Sequence, residues 1–224
     1  MRRFLTQNSL SVVFLVLFLA ALSGQAVAGH ADFNDRQVRH GDPEISLSRY
    51  VVSSDFGNAV MENWQSEYLQ FTLFVLLTVW LLQRGSPESK PLGKAGRESD
   101  EAQKVGPYAR QNSPRWAKAE GIRRTLYENS LVLVMGTIWL GTWFAQSVTG
   151  VAQYNSERFD HQLDAVGWWQ YLGTPTFWET TLQNWQSEFL AVGSMAILAV
   201  YLRQRGSPES KPVGAPHTAT GTES

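Results

Sequence analysis

The most constraining feature of this sequence is that it is written twice, at a fixed interval of 121 positions. Without any gap, residues 63–67, Asn-Trp-Gln-Ser-Glu, fall on residues 184–188, which are the same five amino acids. Residues 83–91 likewise recur unchanged as residues 204–212. A repeat of this kind predicts that both copies adopt the same supersecondary unit.

Apolar residues are concentrated in four stretches, which are 10–27, 68–82, 131–148 and 189–202. A hydrocarbon core of about 30 Å takes roughly 20 helical residues. The first and third stretches can therefore span a bilayer alone, whereas the shorter two need extensions into the interface. Trp64 and Trp185 are predicted to supply these extensions as aromatic anchors.

Charge predicts the orientation of the spans. Residues 30–62 carry six acids and three bases, and residues 151–183 carry four acids and one base, so each outer connection has a net charge of −3. Residues 84–124 carry ten Lys and Arg against five acids. The positive-inside rule then places both termini and the central segment in the cytoplasm.

The N-terminus also resembles a secretory signal, because two arginines precede an apolar run and a small-residue site at residues 26–28. The same unit recurs at residues 123–150, where no signal peptidase substrate is expected. We therefore expect the first span to be retained.

The predicted architecture is all-α: an integral membrane protein of four transmembrane helices, formed by two parallel repeats of a two-helix unit, with interfacial helices in the aromatic outer connections. The predicted helices cover residues 4–29, 56–84, 123–150 and 175–205. The predicted organisation is a first repeat (1–92), a flexible cytoplasmic linker (93–121), a second repeat (122–213) and a disordered tail (214–224).

Small residues recur at four-residue spacing in the first helix of each copy, which favours close helix packing in lipid. They are Ala20, Gly24 and Ala28, and Gly141, Ala145 and Thr149. At the inner ends, Arg84 and Arg205 are predicted to extend to lipid headgroups as anchors. The repeated segment after them is interpreted as a helix stop or, alternatively, as a docking motif for a cytoplasmic partner.

A polar site is hypothesised near the outer ends of the returning helices, because ionisable groups at membrane depth are often functional. Its candidate residues are Asn63, Ser66, Glu67, Asn184, Ser187, Glu188, Gln25 and Gln146. The alternative interpretation places both Glu side chains among hydrated headgroups. His40 and His161, which coincide in the repeat, are weak candidates for a metal site.

The chain contains no Cys, which excludes disulfides and thiolate catalysis, and no phosphate-binding loop, HExxH helix or nucleophile elbow. Its net charge is −1, so its basic segments predict contact with anionic headgroups and no nucleic-acid partner. We expect no cofactor, and the lipid bilayer with a second copy or another membrane protein as partners.

With the Asn-Trp-Gln-Ser-Glu and Arg-Gly-Ser-Pro-Glu-Ser-Lys-Pro repeats in view, the chain resembles a bacterial membrane-protein family that is known only as a domain of unknown function, with duplicated two-span units. The resemblance covers nearly the whole chain and implies a small inner-membrane protein. It implies no activity, substrate or catalytic residue. The sequence therefore predicts a non-enzymatic interaction or structural component, with a small transporter or channel as the main rival and a lipid-modifying enzyme as the lesser one.

Overall fold

The computed structural model describes residues 2–221, and the regular structure in that range is helical, with no strand. This confirms the all-α prediction. The last three residues of the predicted disordered tail lie outside the described range. The α-helices are α1 (Arg2–Gln7), α2 (Ser9–His40), α3 (Leu47–Tyr50), α4 (Ser54–Leu77), α5 (Asp100–Gln103), α6 (Ile122–Glu128), α7 (Ser130–Asp160), α8 (Trp168–Leu172) and α9 (Pro175–Tyr201). Two 3₁₀ turns lie at Gly106–Tyr108 and Arg115–Lys118.

The helices α2, α3 and α4 begin at positions that differ by 121 from the first residues of α7, α8 and α9. The bounds differ from those expected. Helix α2 continues to His40, beyond its apolar stretch, and ends where Gly41 adopts a left-handed φ of +85° that favours glycine. Helix α4 ends at Leu77, short of Arg84.

The segment predicted as a flexible linker, residues 93–121, contains α5 and both 3₁₀ turns. Arg124 of α6 forms ion pairs with Asp100 and Glu128, and Val105 and Ala117 are buried. Composition predicted unfolded chain here because large apolar residues are scarce. The structure differs because charged side chains and backbone turns organise the segment.

Two of the described helices, α2 and α7, are long and apolar enough to cross a membrane. No residue of α2 is buried. On α7 the most buried side chains are polar, with Gln146 only 1% exposed and Ser147 3% exposed, while Leu140 and Phe144 are exposed.

The chain divides into two compact units, and each takes segments from both copies of the repeat. The first comprises Met1–Met61 and Ala145–Phe177, and the second comprises Glu62–Phe144 and Trp178–Ser224. The units cut across the repeats because α4, α7 and α9 each contribute residues to both.

The first unit packs a tyrosine on a glycine in each copy. A Cβ atom added at Gly29 would lie 2.3 Å from Tyr50 Oη, and one at Gly150 would lie 2.4 Å from Tyr171 Oη. Both tyrosines are 5% exposed and contact further aromatic rings, Phe56 and Phe177 respectively. Glycine is required at these two helix positions because any side chain would displace the ring.

An asparagine fixes each outer connection in the same way. The Asn34 side chain accepts a hydrogen bond from Ile45 N (2.9 Å) and donates to Ile45 O (3.0 Å). Asn155 makes the same two bonds with Val166, also at 2.9 and 3.0 Å. Each asparagine side chain thus pairs with both the N–H and the C=O of one loop residue, as a neighbouring β-strand would.

Candidate functional site

The repeated segment after α4 and α9 forms the same compact turn twice in the second unit. The backbone N–H of Gln83 donates to Ser89 Oγ at 2.9 Å, and that of Gln204 donates to Ser210 Oγ at 2.9 Å. Gly85 and Gly206 adopt φ values of +84° and +85°, which glycine accommodates without steric cost. We call these two segments, residues 83–91 and 204–212, the exit turns.

The lysine of each exit turn binds backbone carbonyls that follow it. Lys90 Nζ donates to Gly96 O at 2.9 Å and forms an ion pair with Glu98. Lys211 is 1% exposed, and its Nζ donates to the carbonyl oxygens of Pro216 (3.2 Å), His217 (2.9 Å) and Ala219 (3.2 Å). The serine and lysine of the repeated Glu-Ser-Lys-Pro segment thus make equivalent structural contacts in both copies.

The C-terminal segment, predicted as disordered from residue 214, binds the first exit turn. Thr220 Oγ1 accepts a hydrogen bond from Gly85 N at 2.9 Å, and Gly221 N donates to Ser86 O at 3.0 Å. Thr220 is 1% exposed. The described part of the tail is held because Lys211 binds three of its backbone carbonyls and these two bonds join it to the first exit turn.

The exit turns bring together two equivalent acids, Glu88 and Glu209. The Glu88 carboxyl interacts with that of Glu209. Partial burial, together with this neighbour, raises the pKa of Glu88 from 4.5 to about 7. Among the described residues, no Lys or Arg forms an ion pair with either acid.

A cavity of about 440 Å³ lies next to Glu88, between α4 and α9. Most of its lining is apolar and comes from Leu73, Phe74, Leu77, Phe189, Val192 and Ala196. Gln70 lies at its lining on α4, and four polar residues of the first exit turn line it as well: Gln83, Ser86, Glu88 and Ser89. The volume is within the usual range of about 300–1,000 Å³ for small-ligand sites.

The cavity arises where the second copy carries smaller residues than the first. Gly193 and Ala196 of α9 occupy the repeat positions of Thr72 and Val75 in α4. A Cβ atom added at Gly193 would meet no atom within 4 Å. Thr72, by contrast, is buried and packs against Gly136. The unequal side chains therefore leave space beside α9.

The structure brings together part of the predicted polar site. Ser66 is 1% exposed, and its Oγ donates to Asn63 O (2.9 Å) and to Glu188 Oε1 (3.4 Å). Glu188 is half-buried and interacts electrostatically with Glu67, which is exposed. Of the remaining second-unit candidates, Ser187 is exposed and donates to Asn184 O. The two copies are thus unequal here as well.

The predicted anchor Trp185 has a specific partner that the sequence reasoning missed. Its indole Nε1 donates to Gln65 Oε1 at 2.8 Å, and its ring centroid lies 5.5 Å from that of Trp143. Gln65 is fully buried, whereas Gln186, at the same repeat position, is exposed. Trp64, the other predicted anchor, is half-buried.

In the first unit, Gln146 is buried, and its Oε1 has no hydrogen-bond partner in the described part of the chain. Gln25 is half-buried on α2. His40 Nδ1 lies 3.7 Å from Asp160 Oδ2, and His161 is exposed. Within residues 2–221 there is no cluster of three or more His, Cys, Asp and Glu that could hold a metal ion.

Most of the predicted packing residues lie at the surface. Ala20, Gly24, Ala28 and Gly141 are exposed, and Ala145 is half-buried. Thr149 alone makes a described side-chain bond, to Asn58 Oδ1 at 3.3 Å, besides bonds within its helix. Thr149 also approaches a helix glycine, because a Cβ atom added at Gly57 would lie 3.2 Å from Thr149 Cγ2, and further close approaches occur one residue later in each copy, at Gly29 and Gly150. Arg84 and Arg205 are exposed.

Residues 1–222 match the model of a protein family described as a domain of unknown function (DUF6766). The chain belongs to this family. No curated protein and no solved structure matches it.

We predict that Gln65→Leu destabilises the protein and that Gln186→Leu does not. Loss of the buried amide strands the Trp185 N–H, at a cost of about 1–3 kcal/mol. The exposed Gln186 has no such partner, so leucine there should change the free energy of unfolding by less than about 0.5 kcal/mol. Thermal unfolding of both variants in one detergent measures the difference. Equal midpoints would contradict the assigned hydrogen bond.

We predict that the raised pKa of Glu88 makes stability depend on pH. The folded protein keeps a proton on Glu88 up to about pH 7, whereas the unfolded chain releases it near its ordinary pKa of 4.5. Stability should therefore fall as pH rises between these values. Glu88→Gln should remove this part of the loss between pH 4.5 and about 7, whereas Glu209→Gln should only reduce it, because burial, the larger cause of the raised pKa of Glu88, remains. The exposed Glu101→Gln is the control, and a wild-type profile in Glu88→Gln would refute the pairing.

Proposed function

We propose that the protein is an integral membrane protein with four spans, formed by two parallel copies of a two-helix unit. The observation that carries this proposal is an inverted distribution of polarity. Buried positions are held by polar residues such as Gln65, Ser66 and Gln146, while large apolar side chains such as Phe14 (64% exposed) and Leu190 (67% exposed) cover the surface. Water would oppose this arrangement, and hydrocarbon favours it.

Helices α2 and α7 have the length and composition of spans. We infer that α4 and α9 are the returning spans, although each carries acidic residues. Three features support this: their starts repeat at the same interval as those of α2 and α7, their exposed residues include Phe71 and Leu190, and each is followed by an exit turn with an exposed arginine.

The topology is tested by reporter fusions. Fusions after Pro91, after Lys118 and near the C-terminus should report the cytoplasm, and fusions near Pro43 and Asp164 should report the outside, because the outer connections are acidic and the central segment is basic. The protein should also remain in the membrane pellet after alkaline carbonate washing. An outside signal at Lys118, or release by carbonate, would overturn the four-span proposal.

We propose that its role is non-enzymatic, as a membrane-embedded interaction or structural component of a bacterial inner membrane. The polar contacts of the second unit support this. Ser89 and Lys90 of the first exit turn bind backbone groups, and Gln65 binds the indole of Trp185. None of these contacts is a nucleophile–base pair. The proposed partners are lipid and a second copy of the chain or another membrane protein.

A small transporter or channel is the second candidate, favoured by the contact of Ser66 with Glu188. A half-buried carboxylate beside another acid on a spanning helix is the kind of group that carries protons or cations across a bilayer. The contact is unequal in the two copies, because Glu67 is exposed while Glu188 faces Ser66.

This candidate predicts a proton or cation flux in proteoliposomes that Glu188→Gln abolishes, since glutamine keeps the hydrogen-bonding shape but cannot carry a charge. Glu179→Gln, an exposed position on the same helix, is the matched control and should leave the flux unchanged. Flux can be followed with a pH-sensitive dye trapped inside the vesicles. Wild-type protein without flux would eliminate this candidate.

A further inference from the structure

We propose that the cavity between α4 and α9 binds one aminophospholipid, with an acyl chain among the apolar residues and the ammonium headgroup at Glu88. The inference goes beyond the proposed function and rests on it only in requiring that the protein lies in a bilayer. It stands on the shape of the cavity, the charges at its polar end and a buried hydroxyl that accepts a hydrogen bond but donates none to the described residues.

The cavity suits an acyl chain because its apolar walls are continuous along two helices. Leu73, Phe74 and Leu77 line it from α4, and Phe189 and Val192 line it from α9. Leu81, also at the lining, is 61% exposed, so the cavity reaches the surface of the molecule. An exposed apolar rim lets a chain enter from surrounding lipid without passing through water.

The charges at the polar end favour a cationic headgroup. Glu88 lines the cavity beside Glu209, and the neighbouring lysines are already committed: Lys90 to Glu98 and a carbonyl, and Lys211 to three carbonyls. An ammonium group has three donors, which match two neighbouring carboxyls that form no ion pair with the described Lys and Arg residues. An anionic headgroup would be repelled here.

A buried hydroxyl in the same lining is incompletely bonded. Ser86 is 2% exposed, and its Oγ accepts a hydrogen bond from Glu88 N at 3.2 Å. The hydrogen of that hydroxyl has no acceptor among the described residues, whereas the equivalent hydrogen of Ser89 is donated to Lys90 O. A phosphate or ester oxygen would satisfy it. A zwitterionic lipid supplies this acceptor together with the ammonium group.

The purified protein is first delipidated and then given equal amounts of phosphatidylethanolamine and phosphatidylglycerol with identical chains. Native mass spectrometry then counts the lipids that it retains. Wild-type protein should retain one phosphatidylethanolamine per chain in preference to phosphatidylglycerol. Gly193→Leu should lose it, because leucine fills the open space at that position and also favours a helix more than glycine does. Gly141→Leu, at another open helical glycine outside the cavity, should retain it.

Glu88→Gln should still bind a lipid but lose the preference for phosphatidylethanolamine by about tenfold, which corresponds to about 1.4 kcal/mol. Retention by Gly193→Leu equal to wild type would overturn the cavity as the site, and equal binding of the two lipids by wild type would overturn the headgroup assignment. Release of the protein by carbonate concerns membrane location alone, so failure of the proposed function is recognised separately.

Discussion

The hydrogen bond from a backbone N–H to the serine hydroxyl of each exit turn is the contact on which the second unit depends. It folds nine residues back on themselves after α4 or α9, and it requires the left-handed glycine and the serine at fixed spacing. Once the turn closes, its lysine can reach the carbonyls that follow, and its glutamate is presented beside that of the other copy. The contacts of Lys211 with the tail, the proximity of Glu88 to Glu209 and the polar end of the cavity all follow from this one geometry.

Identical turns in unequal surroundings give the molecule its asymmetry. Gly85 is covered, because an added Cβ would lie 2.3 Å from His217 O, whereas Gly206 has open space around it. Lys211 is enclosed by three carbonyls, while Lys90 shares its charge with Glu98. The same nine residues thus bury different members in the two copies: Ser86 and Ser89 in the first, which lines the cavity, and Lys211 in the second.

Sequence predicted the helical class because apolar stretches of sufficient length and a gapless repeat constrain local structure strongly. It predicted less of the site because the local sequence does not show which distant residues come into contact. Gln65 and Gln186 have the same neighbours in sequence, yet only Gln65 is buried against an indole. The repeated Glu-Ser-Lys-Pro was interpreted as a stop or docking motif because nothing local shows that Glu88 and Glu209 meet. In the segment predicted as a linker, Arg124 forms ion pairs with Asp100 and Glu128, contacts that composition does not reveal.

The cost of placing Glu88 beside Glu209 has an explanation if the neighbouring cavity binds a cationic group. Placing the Glu88 carboxyl beside that of Glu209 has a cost, because partial burial disfavours the charged form of Glu88 and no Lys or Arg forms an ion pair with it among the described residues. A structure that only needed to join its two exit turns could use an amide pair without this cost. Carboxyls are useful where a positively charged group arrives from outside the chain, since the cost is then recovered on binding. In the proposed lipid complex this group is the lipid ammonium, which meets Glu88 at the polar end of the apolar cavity.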